Sequence, residues 1–261
     1  MLTLLLLAVG LILPADSIQK SLNGHEGAFV LIDCASGETY RSSAAACAER
    51  LPPCSTFKIW NTAIGLQLGE ISRADEPFWK WDGTKQRLDA WNKDLTLKEA
   101  YDASCVPAFQ ALARKTGHDR MQLWLDKIGY GDKDISAGVD EFWLPAHTRK
   151  KTVLISPDEQ AQLIRKLVLG QLPFSPKTLQ VLKEVMFIKK TDRGSFYGKT
   201  GTSGTYIDED GTFRVGVGWF VGYVESGGKT YAFATVLKSK GIAGKDARAA
   251  TESILAGQGL L

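Results

Sequence analysis

Hydrophobic positions follow the period of strands at both ends of the chain and the period of helices between them. The stretch GAFVLIDCASGETY, residues 27–40, reads as two strands joined by a turn at Ser36-Gly37. Pro52 and Pro53 stop the chain just before STFKIWNTAIGLQLGE. There Phe57, Ile59, Ala63, Ile64 and Leu66 make a helix that is apolar almost all round, a pattern that predicts burial. Further helices are predicted over 96–115, 118–128, 157–169 and 176–186. Strands return at Ser195–Lys199, Phe213–Val224 and Thr230–Leu237, and a last helix is predicted over Asp246–Leu255. Strands at both ends with helices between predict an α/β protein of α+β type. Its antiparallel sheet would be closed by the two termini and flanked by helices, with a helical lobe inserted.

Residues 1–13, MLTLLLLAVGLIL, change the picture at the N-terminus. A spanning helix needs about 20 apolar residues, so this run has the length of a signal peptide. No Lys or Arg precedes it; Asp16 and Lys20 end it, and cleavage is expected between Ala15 and Ser21. The expected organisation is a leader over 1–20 and one catalytic domain over 21–261, without a stable membrane span in the mature chain. Export predicts a periplasmic or secreted protein in an oxidising compartment. Cys34, Cys47, Cys54 and Cys105 allow three full pairings, and the sequence does not choose among them.

At 44% hydrophobic and 23% charged, the composition is that of a globular enzyme and excludes a disordered chain. A net charge of +3, from 32 basic and 29 acidic residues, gives no reason to expect a nucleic-acid partner. Arg149, Lys150 and Lys151 form only a short basic cluster, read as a solvated loop. The three histidines, His25, His118 and His147, make no close ligand pair, so no catalytic metal is expected.

Three short motifs carry candidate chemistry. Ser55-Thr56-Phe57-Lys58 opens the apolar helix, with serine and lysine three apart on one face. The serine sits at the positive helix end, and a lysine buried on such a helix loses proton affinity and becomes a base. Lys199-Thr200-Gly201 ends a strand, where the lysine can meet a substrate carboxylate and the glycine admits a ligand close to the backbone. Ser104-Cys105-Val106 lies in an apolar helical stretch, and its hydroxyl can relay a proton. Each alone is weak. S-x-x-K also describes a surface helix pair, K-T-G an ordinary turn, and a helix serine usually bonds its own backbone. Cys54 has no histidine nearby in sequence and is read as a buried structural thiol.

Together and in this order the motifs are specific. S-x-x-K, a serine motif and K-T-G are shared by penicillin-binding proteins and class A β-lactamases. With S-x-V in the middle, the chain resembles the class D β-lactamases, the oxacillinases. PCSTFKI, FWL at Phe142–Leu144, ISPDEQ at Ile155–Gln160 and GWFVGY at Gly218–Tyr223 extend the likeness over roughly 27–255. The resemblance implies the serine β-lactamase/penicillin-binding fold and hydrolysis of β-lactam antibiotics through an acyl-enzyme on Ser55, hence antibiotic resistance. It implies that Lys58 is carbamylated by carbon dioxide (N6-carboxylysine) and is general base in both half-reactions, with no other cofactor. Trp143 would hold the carbamate by its indole N–H, in a pocket that Val106 keeps dry and Phe57, Phe109 and Leu144 wall. Ser55 and Thr202 would supply oxyanion N–H groups. Lys199, Thr200, Gly201 and Arg248 would bind substrate, and a homodimer is left open.

Two stretches depart from the family pattern. Its Y-G-N stands as Tyr130-Gly131-Asp132, and the spacing from Trp143 to Ile155 is long, which predicts an enlarged loop over Pro145–Val153. A β-lactam sensor shares the motifs but hardly deacylates and follows several membrane helices. A cell-wall peptidase and a catalytically dead binding module are the other readings. Which β-lactams are substrates is not legible.

Overall fold

A computed structural model describes residues 18, 20–22, 24–145, 150–207 and 210–261. The apolar run over 1–13, expected to be a leader, and His147 and Arg149 lie outside the described residues. Strands β1 (Glu26–Asp33) and β2 (Thr39–Arg41) form the expected hairpin, turning at Gly37 with φ 79°. Helix α1 (Ala44–Ala48) leads to a 3-10 turn, Cys54–Phe57, which runs into α2 (Lys58–Gln67). The short strands β3 (Pro77–Trp79) and β4 (Leu95–Thr96) pair with each other. The helical lobe continues with α3 (Leu97–Asp102), α4 (Val106–Thr116), α5 (His118–Ile128), α6 (Pro157–Val168) and α7 (Pro176–Met186). The chain returns through β5 (Phe187–Thr191) and β6 (Gly194–Thr202), then the small hairpin of β7 (Tyr206–Ile207) and β8 (Phe213–Arg214). It ends in β9 (Val217–Ser226), β10 (Lys229–Lys238) and α8 (Gly244–Gly257).

Six strands form one antiparallel sheet in the order β2-β1-β10-β9-β6-β5, so the first and last long strands are neighbours. Side chains alternate across it. Val30, Ile32, Ala232, Ala234, Trp219 and Val221 face the helical lobe. Phe29, Leu31, Phe220, Val224 and Phe233 face α8 in a separate cluster. With both faces covered, β9 and β10 read as nearly continuous apolar runs.

Besides the short elements α1, β3, β4 and β7, which the sequence reading did not include, the structure differs from it at three places. The helix expected over 96–115 breaks at Ser104, whose φ is 51°, a left-handed value a helix cannot contain. The strand expected over Phe213–Val224 is divided: residues 215 and 216 belong to no strand, and β9 starts at Val217. Strand β5 was not expected; its sequence FIKKT is short and half charged, as suits an edge. All four cysteines are buried and free. Among the described residues no helix is long and apolar enough to cross a membrane.

Candidate active site

Pro52 and Pro53 bring the chain from the α1 region, Pro53 already at helical dihedrals (φ -71°, ψ -21°), and the 3-10 turn then carries Ser55 to the start of α2. The turn is braced on three sides. Trp219 Nε1 donates to Pro52 O at 2.9 Å, Thr56 Oγ1 donates to Pro53 O at 2.7 Å, and Gln160 Nε2 of α6 donates to Thr56 Oγ1 at 2.9 Å. Cys54 pays for the swing with φ 52°, left-handed for a residue with a Cβ. Its thiol is buried, contacts Pro52 O, and is pushed up to about 12 by burial, so it is a structural thiol and no nucleophile at neutral pH.

Lys58 Nζ lies 2.9 Å from Ser55 Oγ. The lysine is fully buried, and no described carboxylate pairs with it. Burial, reinforced by the positive charge of Lys199, holds its pKa well below the ordinary 10.5. Its ammonium position lies 5.4 Å from the centre of the Phe109 ring. Phe57, the residue before it, stacks on Trp143 with centroids 5.2 Å apart. Trp143 is also fully buried, and its Nε1–H finds no acceptor. The buried amine thus rests on the Phe109 ring, and the unsatisfied indole donor on the ring of Phe57, the neighbour of Lys58 in sequence.

Ser55 opens into a cavity of about 320 Å³. Ser104, Val106, Leu144, Thr200 and Thr202 line it, so the three motifs meet at one place. Ser104 reaches the cavity from the α3–α4 junction, where its left-handed φ of 51° separates the two helices. Thr200 also belongs to a neighbouring cleft of about 310 Å³ lined by Tyr101, Asp102, Lys199 and Arg248. Lys199 is 4% exposed, donates to Thr200 O at 3.1 Å and lies over the Tyr101 ring at 5.5 Å. Burial lowers its pKa to about 7 against the opposing pull of Asp102.

The sequence matches the penicillin-binding protein transpeptidase domain family over residues 27–256. It is 36% identical over 230 residues to the probable β-lactamase YbxI of Bacillus subtilis, covering 88% of this chain and 81% of that one. It is 38% identical over 208 residues to β-lactamase OXA-5 of Pseudomonas aeruginosa, covering 80% and 74%. The solved class D β-lactamase of Bacillus subtilis superposes with a TM-score of 0.84 at 33% identity, covering 96% of this chain and 99% of that one. The chain belongs to the class D β-lactamases. It has the serine β-lactamase/penicillin-binding fold and is a hydrolase of that class.

Within this class D β-lactamase the residues singled out in sequence do not all share one cavity. Ser55, Ser104, Val106, Thr200 and Thr202 line the first. Lys58 and Trp143 lie fully buried behind it. Gly201 packs directly on the Ser55 turn, with room for no Cβ: one would lie 2.9 Å from Pro53 O and 3.1 Å from Thr56 Cγ2. Arg248 lines the second cleft, where Glu252 accepts from its Nε at 2.8 Å. In the departing Y-G-D loop, Asp132 accepts from Leu154 N at 3.0 Å, so its carboxylate closes the loop. Sequence reasoning missed Arg87, Leu88 and Trp91, which line the Ser55 cavity from the segment before β4. That segment is polar and lies far from every motif, and only the W in it offered a signal.

Proposed function

We propose that the enzyme hydrolyses β-lactam antibiotics through an acyl-enzyme on Ser55, with carbamylated Lys58 as general base, and so confers resistance. The observation that carries the reading is the pair Ser55–Lys58, 2.9 Å apart with the lysine fully buried and without a carboxylate partner. Burial lowers the pKa of an amine in that setting and so favours its neutral form, which reaction with carbon dioxide requires. The new N–C bond releases one proton and leaves an anion, which Trp143 Nε1–H, otherwise without an acceptor, can satisfy.

In acylation the base takes the Ser55 proton as Oγ bonds to the lactam carbonyl carbon. The C–N bond breaks, and the proton reaches the ring nitrogen by way of Ser104. In deacylation the same base takes a proton from water as the water oxygen bonds to the ester carbonyl carbon, the C–Oγ bond breaks, and the base returns the proton to Ser55. Backbone N–H groups of Ser55 and Thr202 are assigned to the developing oxyanion, and Thr202 lies on the Ser55 cavity wall. Lys199, Thr200 and Arg248 are assigned to the substrate carboxylate, reached where the two clefts meet at Thr200. Export through the leader to the periplasm or medium belongs to the same proposal.

Nitrocefin turnover tests the reaction. Repeated turnover is expected, abolished in Ser55→Ala; a single stoichiometric burst would make the chain a sensor or transpeptidase instead. For the base, ¹³C-bicarbonate labelling should give a carbamate NMR signal that Lys58→Ala loses. Trp143→Phe keeps the ring packing and removes the donor, so its kcat should depend more steeply on added bicarbonate. An active enzyme with no signal and no bicarbonate dependence would remove the carbamate from the mechanism.

A further inference from the structure

Arg87 is the one formally charged side chain among the described residues lining the Ser55 cavity. It is exposed, and no described carboxylate pairs with it. Its guanidinium carbon lies 5.9 Å from the centre of the Trp91 ring. That ring is fixed: Trp91 Nε1 donates to Ala103 O at 2.9 Å, next to Ser104, and Trp79 Nε1 donates to Trp91 O at 2.9 Å. Gln86 N donates to Asn92 Oδ1 at 2.6 Å and closes the segment that carries Arg87. A guanidinium resting on an aromatic face keeps its N–H edges free for an acceptor, and a carboxylate matches that fork. The rest of this wall, Leu88, Trp91 and Leu144, is apolar or aromatic.

We infer that Arg87 is a specificity residue that recognises a carboxylate on the acyl side chain of the substrate. The inference rests on the β-lactamase reading above. In a penicillin the ring carboxylate lies beyond the ring nitrogen, and the acylamino group lies on the carbon at the other side of the reacting carbonyl. With the carbonyl at Ser55 and the ring carboxylate toward Thr200 and Lys199, the acyl side chain points away from those two residues, toward the Arg87–Trp91 wall. A neutral aryl side chain finds Leu88 and Trp91 there, and an anionic one also finds Arg87.

The matched pair benzylpenicillin and its α-carboxy analogue, which differ by one carboxylate, isolates the effect. The readout is the ratio of kcat/KM for the α-carboxy substrate to that for the parent. An exposed ion pair stabilises by up to about 1 kcal/mol, so Arg87→Ala should lower the ratio about two- to five-fold. The loss should appear in KM and shrink in 1 M salt. Arg87→Glu should lower the ratio further, and Arg87→Lys should keep it within about two-fold of wild type. An unchanged ratio in both Arg87→Ala and Arg87→Glu overturns the inference. So does an equal loss on both substrates, which would place Arg87 at the ring carboxylate. If the wild-type enzyme turns over neither penicillin, the β-lactamase reading itself fails, and this inference with it.

Discussion

Two lysines of one site are depressed by the same force and need opposite charge states. In the proposed mechanism Lys58 must be neutral to take up carbon dioxide, and burial with no described carboxylate beside it favours that state. Lys199 must be charged to hold a carboxylate, yet burial brings it to about 7, with only Asp102 pulling the other way. Below that pH the ammonium persists; above it the free enzyme loses the charge. For the free enzyme kcat/KM on penicillins should therefore fall as pH rises through about 7. A bound carboxylate favours the ammonium, so the corresponding limb in kcat should sit at higher pH. Lys199→Arg, whose guanidinium stays charged, should move the limb in kcat/KM upward. Steady-state profiles from pH 6 to 9 check this, and a flat kcat/KM would mean that Lys199 is not the anion-binding charge.

The site exists because a strand and a turn are pressed together. Strand β6 lays Gly201 on the Ser55 turn, and its register partner on β9, Trp219, ties Pro52 from below. Gly201→Ala has no room against Pro53 O and must push β6 away from the turn. The expected cost is about 1–3 kcal/mol of stability and at least a tenfold loss of kcat with nitrocefin. Wild-type kcat in that variant would show that the two elements need not be held so closely. This juxtaposition also decides what was legible in the sequence. Ser55, Lys58 and Lys199-Thr200 were readable because each motif is local, a helix start or a strand end. The break at Ser104 was not, because the apolar period runs across it from Leu97 to Leu112 and no glycine marks the left-handed residue. Trp143 was readable only through family resemblance, since FWL alone looks like core. Arg87 was not readable at all, for only the fold carries that polar segment to the cavity rim. Arg248 was readable as a cation after the last strand. Its pairing with Glu252 one helical turn on, and its place in the second cleft, are three-dimensional facts.

At the scale of the whole molecule the buried lysines Lys58 and Lys199 are a burden on folding. The sheet is covered on both faces, and its lobe-facing core surrounds Lys58, while Lys199 sits at the sheet's active-site end. In the unfolded chain both lysines keep the ordinary value of 10.5; in the folded chain both lie lower. The unfolded state then binds more protons over the window between the folded and unfolded values. Stability contributed by these groups therefore rises with pH from about 7 toward 10.5. Buried Tyr101 and Tyr130 are raised well above 10.0, so the folded state resists their ionisation and stability falls again at still higher pH. Lys199→Met keeps the length of the side chain and removes the charge. It should raise Tm at pH 7 by several degrees, since relief of the buried charge is on the order of a few kcal/mol and each is worth about 2–4 °C in a chain of this size. The gain over wild type should shrink steadily toward pH 10, where the wild-type lysine is neutral in the fold and begins to lose its proton in the unfolded chain. Activity on penicillins should be lost at every pH, which separates the stability effect from the catalytic one. Calorimetric scans of both proteins from pH 6 to 10 decide the matter. A Tm difference that is independent of pH would assign any gain to packing and leave Lys199 with no electrostatic cost to the fold.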